Sequence, residues 1–145
     1  MRPVYLDHLA TTPVDPRVLE AMLPWFTERF GNPASRTHAY GREAEEAVEA
    51  ARAQVAALVG ADPEEILFTS GTTESNNLAI KGSAALRPAP ARLVTVGTEH
   101  ASVLDPCQVL ERQGWAAVFL PVDPDGLGDP AGVEAFLTPG TTLLS

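Results

Sequence analysis

The chain has 145 residues, of which 45% are hydrophobic and 20% are charged. This balance is typical of one globular domain whose core needs neither disulfides nor a structural metal. The net charge of −9 argues against nucleic acid or an anionic membrane surface as a partner. Cys107 is the only cysteine, and no signal peptide or membrane-spanning run is recognisable, so the sequence predicts a reducing, cytoplasmic location.

Residues 1–14 are predicted to form an extended N-terminal arm, and residues 15–145 the domain that follows it. The first helix of this domain begins after Asp15, a favourable N-cap, and Pro24 should kink or shorten it. A loop rich in polar side chains follows at residues 32–40.

Helices and strands alternate along the rest of the chain. A long amphipathic helix is predicted at residues 41–59, because apolar residues recur there at intervals of three and four. Its apolar positions are Ala44, Val48, Ala51, Val55 and Leu58. Strands are predicted at residues 66–69, 93–96, 116–121 and 141–145. Three further helices are predicted. The first includes Leu78, Ile80 and Ala84, the second runs from Ser102 or Asp105 to Gln113, and the third covers residues 130–137. Residues 88–90 are predicted to form a loop.

This order predicts an α/β fold with a layered, mostly parallel sheet. Pro106 is compatible with its helix only in the first turn. The sequence stops at Ser145 within an apolar, strand-forming run, which is unusual for a natural C-terminus and leads us to expect a truncated chain.

Residues 70–74, with the sequence SGTTE, are a candidate phosphate-binding turn. They follow a predicted strand and begin a helix, where free backbone N–H groups and the helix dipole attract an anion. Gly71 allows close approach of the backbone, and Thr72 and Thr73 offer hydroxyl groups. The alternative is that these residues only cap the helix, with Glu74 offsetting its dipole.

His100 follows the next predicted strand, so both turns should open on the same edge of a parallel sheet, where ligands usually bind. It could stack on a flat cofactor or move protons, although a lone histidine at a helix start is more often a cap or a surface residue. The three histidines lie on separate segments without the spacing of metal ligands, which argues against a zinc site. Cys107 has the pattern of a buried apolar residue, and Lys81 that of a solvated one.

Four segments of the sequence resemble the successive N-terminal motifs of the NifS-like cysteine desulfurases, pyridoxal 5′-phosphate (PLP) enzymes of the class V aminotransferase family. These segments are YLDHLATTP at residues 5–13, FGNPASRTH at 30–38, FTSGTTESNN at 68–77 and TEH at 98–100. They occur in the family's order and extend over most of the chain.

The resemblance implies a PLP-dependent transferase of fold type I, whose large domain has three layers around a mostly parallel sheet, and a homodimer. It implies that Thr72 and Thr73 hold the PLP phosphate, that Gly71 lets the phosphate approach, and that His100 stacks over the pyridine ring and assists proton transfer. Asn32 would border the substrate side. The implied reaction converts L-cysteine to L-alanine and places the sulfur on an enzyme cysteine as a persulfide. Sulfur would then pass to an acceptor or scaffold protein for iron–sulfur cluster assembly or thio-cofactor synthesis.

Proteins of this family are more than twice as long as this chain. The lysine that binds PLP covalently, the aspartate that pairs with the pyridine nitrogen and the mobile catalytic cysteine lie in the part that is absent. Lys81 and Cys107 do not occupy those positions. We therefore expect an incomplete N-terminal portion that is inactive alone.

Two alternatives remain open at the level of sequence. A selenocysteine lyase or another class V aminotransferase would share these N-terminal motifs. A non-catalytic binding or assembly module, pairing with a separate C-terminal half, would also explain a short chain.

Overall fold

The computed structural model describes residues 3–87, 91–137 and 140–145, so the predicted loop at 88–90 lies outside the described residues. The chain divides into two compact units, Met1–Leu67 and Phe68–Ser145. The predicted boundary after residue 14 stays a prediction. No helix within the described ranges combines the length and the apolar character needed to cross a membrane.

Helix α1 of the first unit spans Pro16–Thr27. Its predicted cap is confirmed, because the Asp15 carboxylate accepts a hydrogen bond of 2.8 Å from the Arg17 backbone N–H. The helix continues through Pro24 and ends within one further turn. Its apolar side chains are largely exposed; they are Val18, Leu19, Met22, Leu23 and Phe26.

Helix α2 spans Ala39–Val59 and begins slightly before its predicted start at Gly41. The earlier start has a local cause: Nδ1 of His38 accepts a hydrogen bond of 3.1 Å from the Gly41 backbone N–H and so caps the helix. Gly41 also touches the preceding loop, since a Cβ atom there would lie 1.7 Å from the Ser35 carbonyl oxygen. Of the predicted apolar stripe, Ala44 is buried and Val48 half-buried, whereas Ala51, Val55 and Leu58 are exposed.

The predicted strand at residues 66–69 is wrong. These residues form no β-strand, and Leu67 is 66% exposed, whereas a strand inside a layered sheet would be covered. The boundary between the two units falls within the segment. On its N-terminal side a 3-10 helix, Pro63–Glu65, ends at Ile66, whose carbonyl accepts a hydrogen bond from the Arg52 guanidinium instead of from a neighbouring strand.

The second unit contains helices α3 (Thr72–Ala85), α4 (Ala101–Arg112) and α5 (Pro130–Phe136) and strands β1 (Arg92–Val96), β2 (Ala116–Leu120) and β3 (Thr141–Leu144). The strands form a parallel sheet in the order β2-β1-β3. Leu93 lies opposite Ala117 on one side and Leu143 on the other. The α/β fold with a parallel sheet is thus confirmed, with three strands described instead of four.

The core of the second unit lies where α3 and α4 pack on the sheet. The two helices contact each other, α3 contacts β3, and α4 contacts β2. Leu93 at the centre of β1 is 2% exposed. The other buried members of this cluster come from both helices and the loop before β2: Ile80, Ala84, Val103, Cys107, Leu110 and Trp115.

Pro106 does not lie in the first turn of its helix, contrary to the prediction. Helix α4 already begins at Ala101, because His100 caps it, and Pro106 therefore falls in the second turn. Proline has no N–H to donate to the carbonyl four residues earlier, so one hydrogen bond of the helix is missing there. Burial of the Pro106 ring offsets part of that cost.

We expect Leu93→Ala to lower the free energy of unfolding by about 2 to 5 kcal/mol, since it leaves a cavity in the core of the second unit. Urea denaturation followed by circular dichroism measures this change. Leu86→Ala is the matched control, because the Leu86 side chain is 85% exposed and loses little burial. Equal effects of the two substitutions would contradict the position of the core.

Candidate active site

The first turn of α3 is open to a ligand. Gly71 is its N-cap residue, with a φ of +152°, and no side-chain hydrogen bond caps the helix. A Cβ atom at Gly71 would meet no atom within 4 Å, so there is space in front of the turn. The side chains of Thr72 and Thr73 are exposed beside it. Uncapped N–H groups, the positive end of the helix dipole and two hydroxyl groups suit an anion.

Ser70 and Glu74 bond to each other and not to the free end of the helix. One Glu74 carboxylate oxygen accepts hydrogen bonds from the Ser70 hydroxyl, at 2.6 Å, and from the Ser70 backbone N–H, at 2.7 Å. These two bonds, the hydroxyl one first, lower the pKa of Glu74 below its usual value. No side chain caps α3, but Glu74 lies in its first turn, where a negative charge offsets the helix dipole as the alternative expects. The choice between a phosphate-binding turn and a helix cap stays a prediction.

His100 caps the neighbouring helix. Its Nδ1 atom accepts a hydrogen bond of 3.1 Å from the Ser102 backbone N–H, and the Ser102 hydroxyl lies 2.9 Å from the same nitrogen. The Asn76 side-chain amide donates to that hydroxyl at 2.8 Å, which joins the N-terminal parts of α3 and α4. The imidazole itself remains exposed.

A groove between α3 and α4 brings the two predicted turns together. Thr73 lies on one side of this groove and His100 on the other. Asn77, Lys81 and Asp105 line it as well, and its volume is about 320 Å³. Helix packing, and not a strand before α3, places the phosphate-binding candidate next to the histidine.

The sequence model of the family described as Aminotransferase class-V matches residues 4–145. The chain belongs to this family. Among individual relatives, the cysteine desulfurase IscS of Anaeromyxobacter sp. (strain K) is 58% identical over 144 residues, which are 99% of this chain and 36% of that protein. The chain thus spans about a third of this relative's length and corresponds to its N-terminal part.

Solved structures of the same family confirm the predicted fold. A NifS-like protein superposes with a TM-score of 0.83 at 37% identity, covering 93% of this chain and 37% of that one. SspA in complex with cysteine superposes with a TM-score of 0.86 at 42% identity, covering 97% of this chain and 40% of that one. The second unit of this class V aminotransferase chain therefore has the α/β architecture of the PLP-dependent cysteine desulfurases.

Asn32 lies in the first unit, in the loop before α2. Its side-chain oxygen accepts a hydrogen bond of 2.9 Å from the Ala34 backbone N–H, and its carbonyl accepts one from the Ser35 N–H. These contacts shape the loop before α2. Its predicted place beside the substrate stays a prediction.

Cys107 lies in the core, 2% exposed, as its pattern in the sequence predicted. Burial, and secondarily the negative charge of Glu99, raises the pKa of its thiol. Since the thiolate is the nucleophilic form, this cysteine is poorly suited to attack sulfur. Lys81, by contrast, is exposed on the groove that Thr73 and His100 line.

The sequence reasoning missed Asn76 and Ser102. Both lie inside the helices that follow the recognised turns, and their hydrogen bond joins positions that are far apart in the chain. A partial signal was present, because a serine two residues after a histidine N-cap can bond back to the imidazole. No sequence pattern indicated that Asn76 would reach the same hydroxyl.

We expect Gly71→Ala to lower the free energy of unfolding by about 1 to 3 kcal/mol, because alanine at a φ of +152° is strained. Gly82→Ala, within the same helix and with no atom within 4 Å of the added carbon, should instead stabilise the chain by about 0.5 to 1 kcal/mol. Chemical denaturation of both variants measures the difference. A neutral or stabilising Gly71→Ala would contradict the backbone conformation of the turn.

Proposed function

We propose that this chain is the N-terminal portion of a PLP-dependent cysteine desulfurase, with residues 1–14 as its arm and residues 15–145 as part of its large domain. The observation that carries the proposal is the groove in which the uncapped start of α3 and the exposed His100 imidazole come together. Identity of 58% with a cysteine desulfurase supports the same activity.

The residues at the start of α3 fit the phosphate of PLP. The turn offers uncapped N–H groups and open space at Gly71, and the exposed hydroxyls of Thr72 and Thr73 can donate to phosphate oxygens. The Glu74 carboxylate carries a like charge, but it is already bonded to Ser70. The helix dipole and several N–H donors act together against that repulsion.

In this proposal PLP supplies an electron sink while the carbon–sulfur bond of the substrate breaks. Thr72 and Thr73 hold the phosphate and so fix the position of the ring. His100 stacks over the ring and holds or moves a proton at Nε2, the ring nitrogen that no described residue contacts by a hydrogen bond. Asn32 borders the substrate.

The substrate in this proposal is L-cysteine, and the related SspA has been solved as a complex with cysteine. The products are L-alanine and a persulfide on an enzyme cysteine, from which sulfur passes to an acceptor or scaffold protein for iron–sulfur cluster assembly. The proposal includes a homodimer in the cytoplasm. Cys107 is not the persulfide carrier, because its thiol is buried and its pKa is raised.

We expect the purified chain to bind PLP weakly and without a covalent bond, and to bind it at least tenfold (about 1.4 kcal/mol) more tightly than pyridoxal, which lacks the phosphate. Thr73→Val should weaken PLP binding by about tenfold and leave pyridoxal binding unchanged, since one hydrogen bond to a charged group is lost. Quenching of tryptophan fluorescence during titration measures both affinities. Thr27→Val, in α1, is the matched control. Equal affinities for PLP and pyridoxal would contradict a phosphate site at α3.

We expect no release of alanine when the chain is incubated with PLP and L-cysteine, because no lysine occupies the position that the family uses to bind PLP. Borohydride reduction followed by mass spectrometry of peptides should reveal no stoichiometric label on Lys81, and Lys81→Arg sets the background. A full-length cysteine desulfurase run in parallel validates the assay. Alanine formation at the rate of that enzyme, or complete labelling of Lys81, would overturn this part of the proposal.

A further inference from the structure

Three polar side chains near the N-terminal ends of α3 and α4 form a continuous chain of hydrogen bonds. The Asn76 amide nitrogen lies 2.8 Å from the Ser102 hydroxyl, which lies 2.9 Å from Nδ1 of His100. The Ser102 side chain is buried and Asn76 is half-buried, so water competes little for these bonds. We refer to Asn76, Ser102 and His100 as the relay.

The chemistry of the donors fixes the direction of each bond. The Ser102 backbone N–H can only donate, so Nδ1 of His100 must accept from it. The Asn76 amide nitrogen also can only donate, so it occupies a lone pair of the Ser102 hydroxyl oxygen. The hydroxyl proton is then free to point at Nδ1. A neutral His100 ring in this environment carries its proton on Nε2.

His38 provides an internal comparison. It also caps a helix, and its Nδ1 atom also accepts a backbone N–H, from Gly41 at 3.1 Å. Among the described residues, the structure gives it no side-chain hydroxyl as a second donor. The relay therefore gives Nδ1 of His100 a second donor, the Ser102 hydroxyl, which helix capping does not require.

We propose that Asn76 and Ser102 are positioning residues for His100: they hold its neutral imidazole in the form protonated at Nε2 and fix the orientation of the ring. Their use in catalysis rests on the proposed function, in which His100 lies over the PLP ring. The hydrogen bonds of the relay themselves form without any cofactor. A ring held in this way presents one defined proton donor, Nε2, and keeps Nδ1 as an acceptor.

The test is nitrogen NMR of the ¹⁵N-histidine-labelled chain without PLP, at an alkaline pH where imidazoles are neutral. The three histidines are assigned by substituting His8 and His38. We expect His100 to give the widely separated Nδ1 and Nε2 signals of a single tautomer. In Ser102→Ala these signals should move together, toward those of His38, and Ser102→Thr should restore their separation.

Asn76→Ala should move the His100 signals in the same direction as Ser102→Ala. The double variant should move them no further than Ser102→Ala alone, because Asn76 acts through the serine hydroxyl. Ser75→Ala is the matched control, since Ser75 bonds Thr69 and lies outside the relay. Circular dichroism verifies that each variant folds. If Ser102→Ala does not fold, Asn76→Ala provides the test.

Unchanged His100 signals in folded Ser102→Ala and Asn76→Ala would overturn the proposal, as would a wild-type ring protonated at Nδ1. PLP binding is measured separately, so failure of the relay is distinguishable from failure of the proposed function. A chain that binds no PLP but has a single His100 tautomer would retain the relay and refute the cofactor site.

Discussion

The packing of α3 against α4 determines where the candidate site residues of the second unit lie. Both helices contribute buried apolar residues to the cluster that includes Leu93 of β1. Their first turns then lie side by side, and Asn76 bonds Ser102 across the contact. Apolar burial stabilises the contact, while one directional hydrogen bond sets its alignment at the ends of the helices.

This arrangement also explains how an acidic chain can offer a candidate site for an anion. The net charge of −9 opposes phosphate at long range, but salt screens charges beyond about 10 Å at 0.1 M ionic strength. At close range the uncapped N–H groups of α3 and the dipole of the helix determine the local potential. Glu74 places a negative charge in the first turn of α3, and its hydrogen bonds to Ser70 occupy one of its oxygens. Local backbone geometry therefore matters more here than overall charge.

The parts of the structure that sequence could predict are those set by local chemistry. The Asp15 cap of α1, the long helix α2 and the three parallel strands follow from caps, periodicity and short apolar runs. The predicted strand at 66–69 is wrong because a buried strand needs partners on both sides, and partner choice is a property of the whole fold. Pro106 is misplaced for a similar reason: the His100 cap and burial in the core, not propensity, decide where α4 begins.

Within the candidate site, the turn with Gly71 and the turn with His100 are recognisable in the sequence, but their proximity has a different cause from the predicted one. The sequence predicts that two strand ends bring them together, whereas two packed helices do so. The Asn76–Ser102 bond is not predictable, because its partners are distant in sequence and neither is an unusual residue for a helix.

The chemical character of the groove suits cofactor binding and proton transfer, and not sulfur transfer, within the proposed enzyme. Its groups bind and orient: hydroxyls and N–H donors suit a phosphate, and His100 is held at Nδ1 with Nε2 left for a proton. Sulfur transfer needs the opposite environment, an accessible thiol whose pKa is low enough to form a thiolate. Cys107 is buried with a raised pKa, and Lys81 is exposed on the groove within α3. In the proposed enzyme the residues of this groove would hold the cofactor and place one proton, and the buried Cys107 thiol would not be the nucleophile.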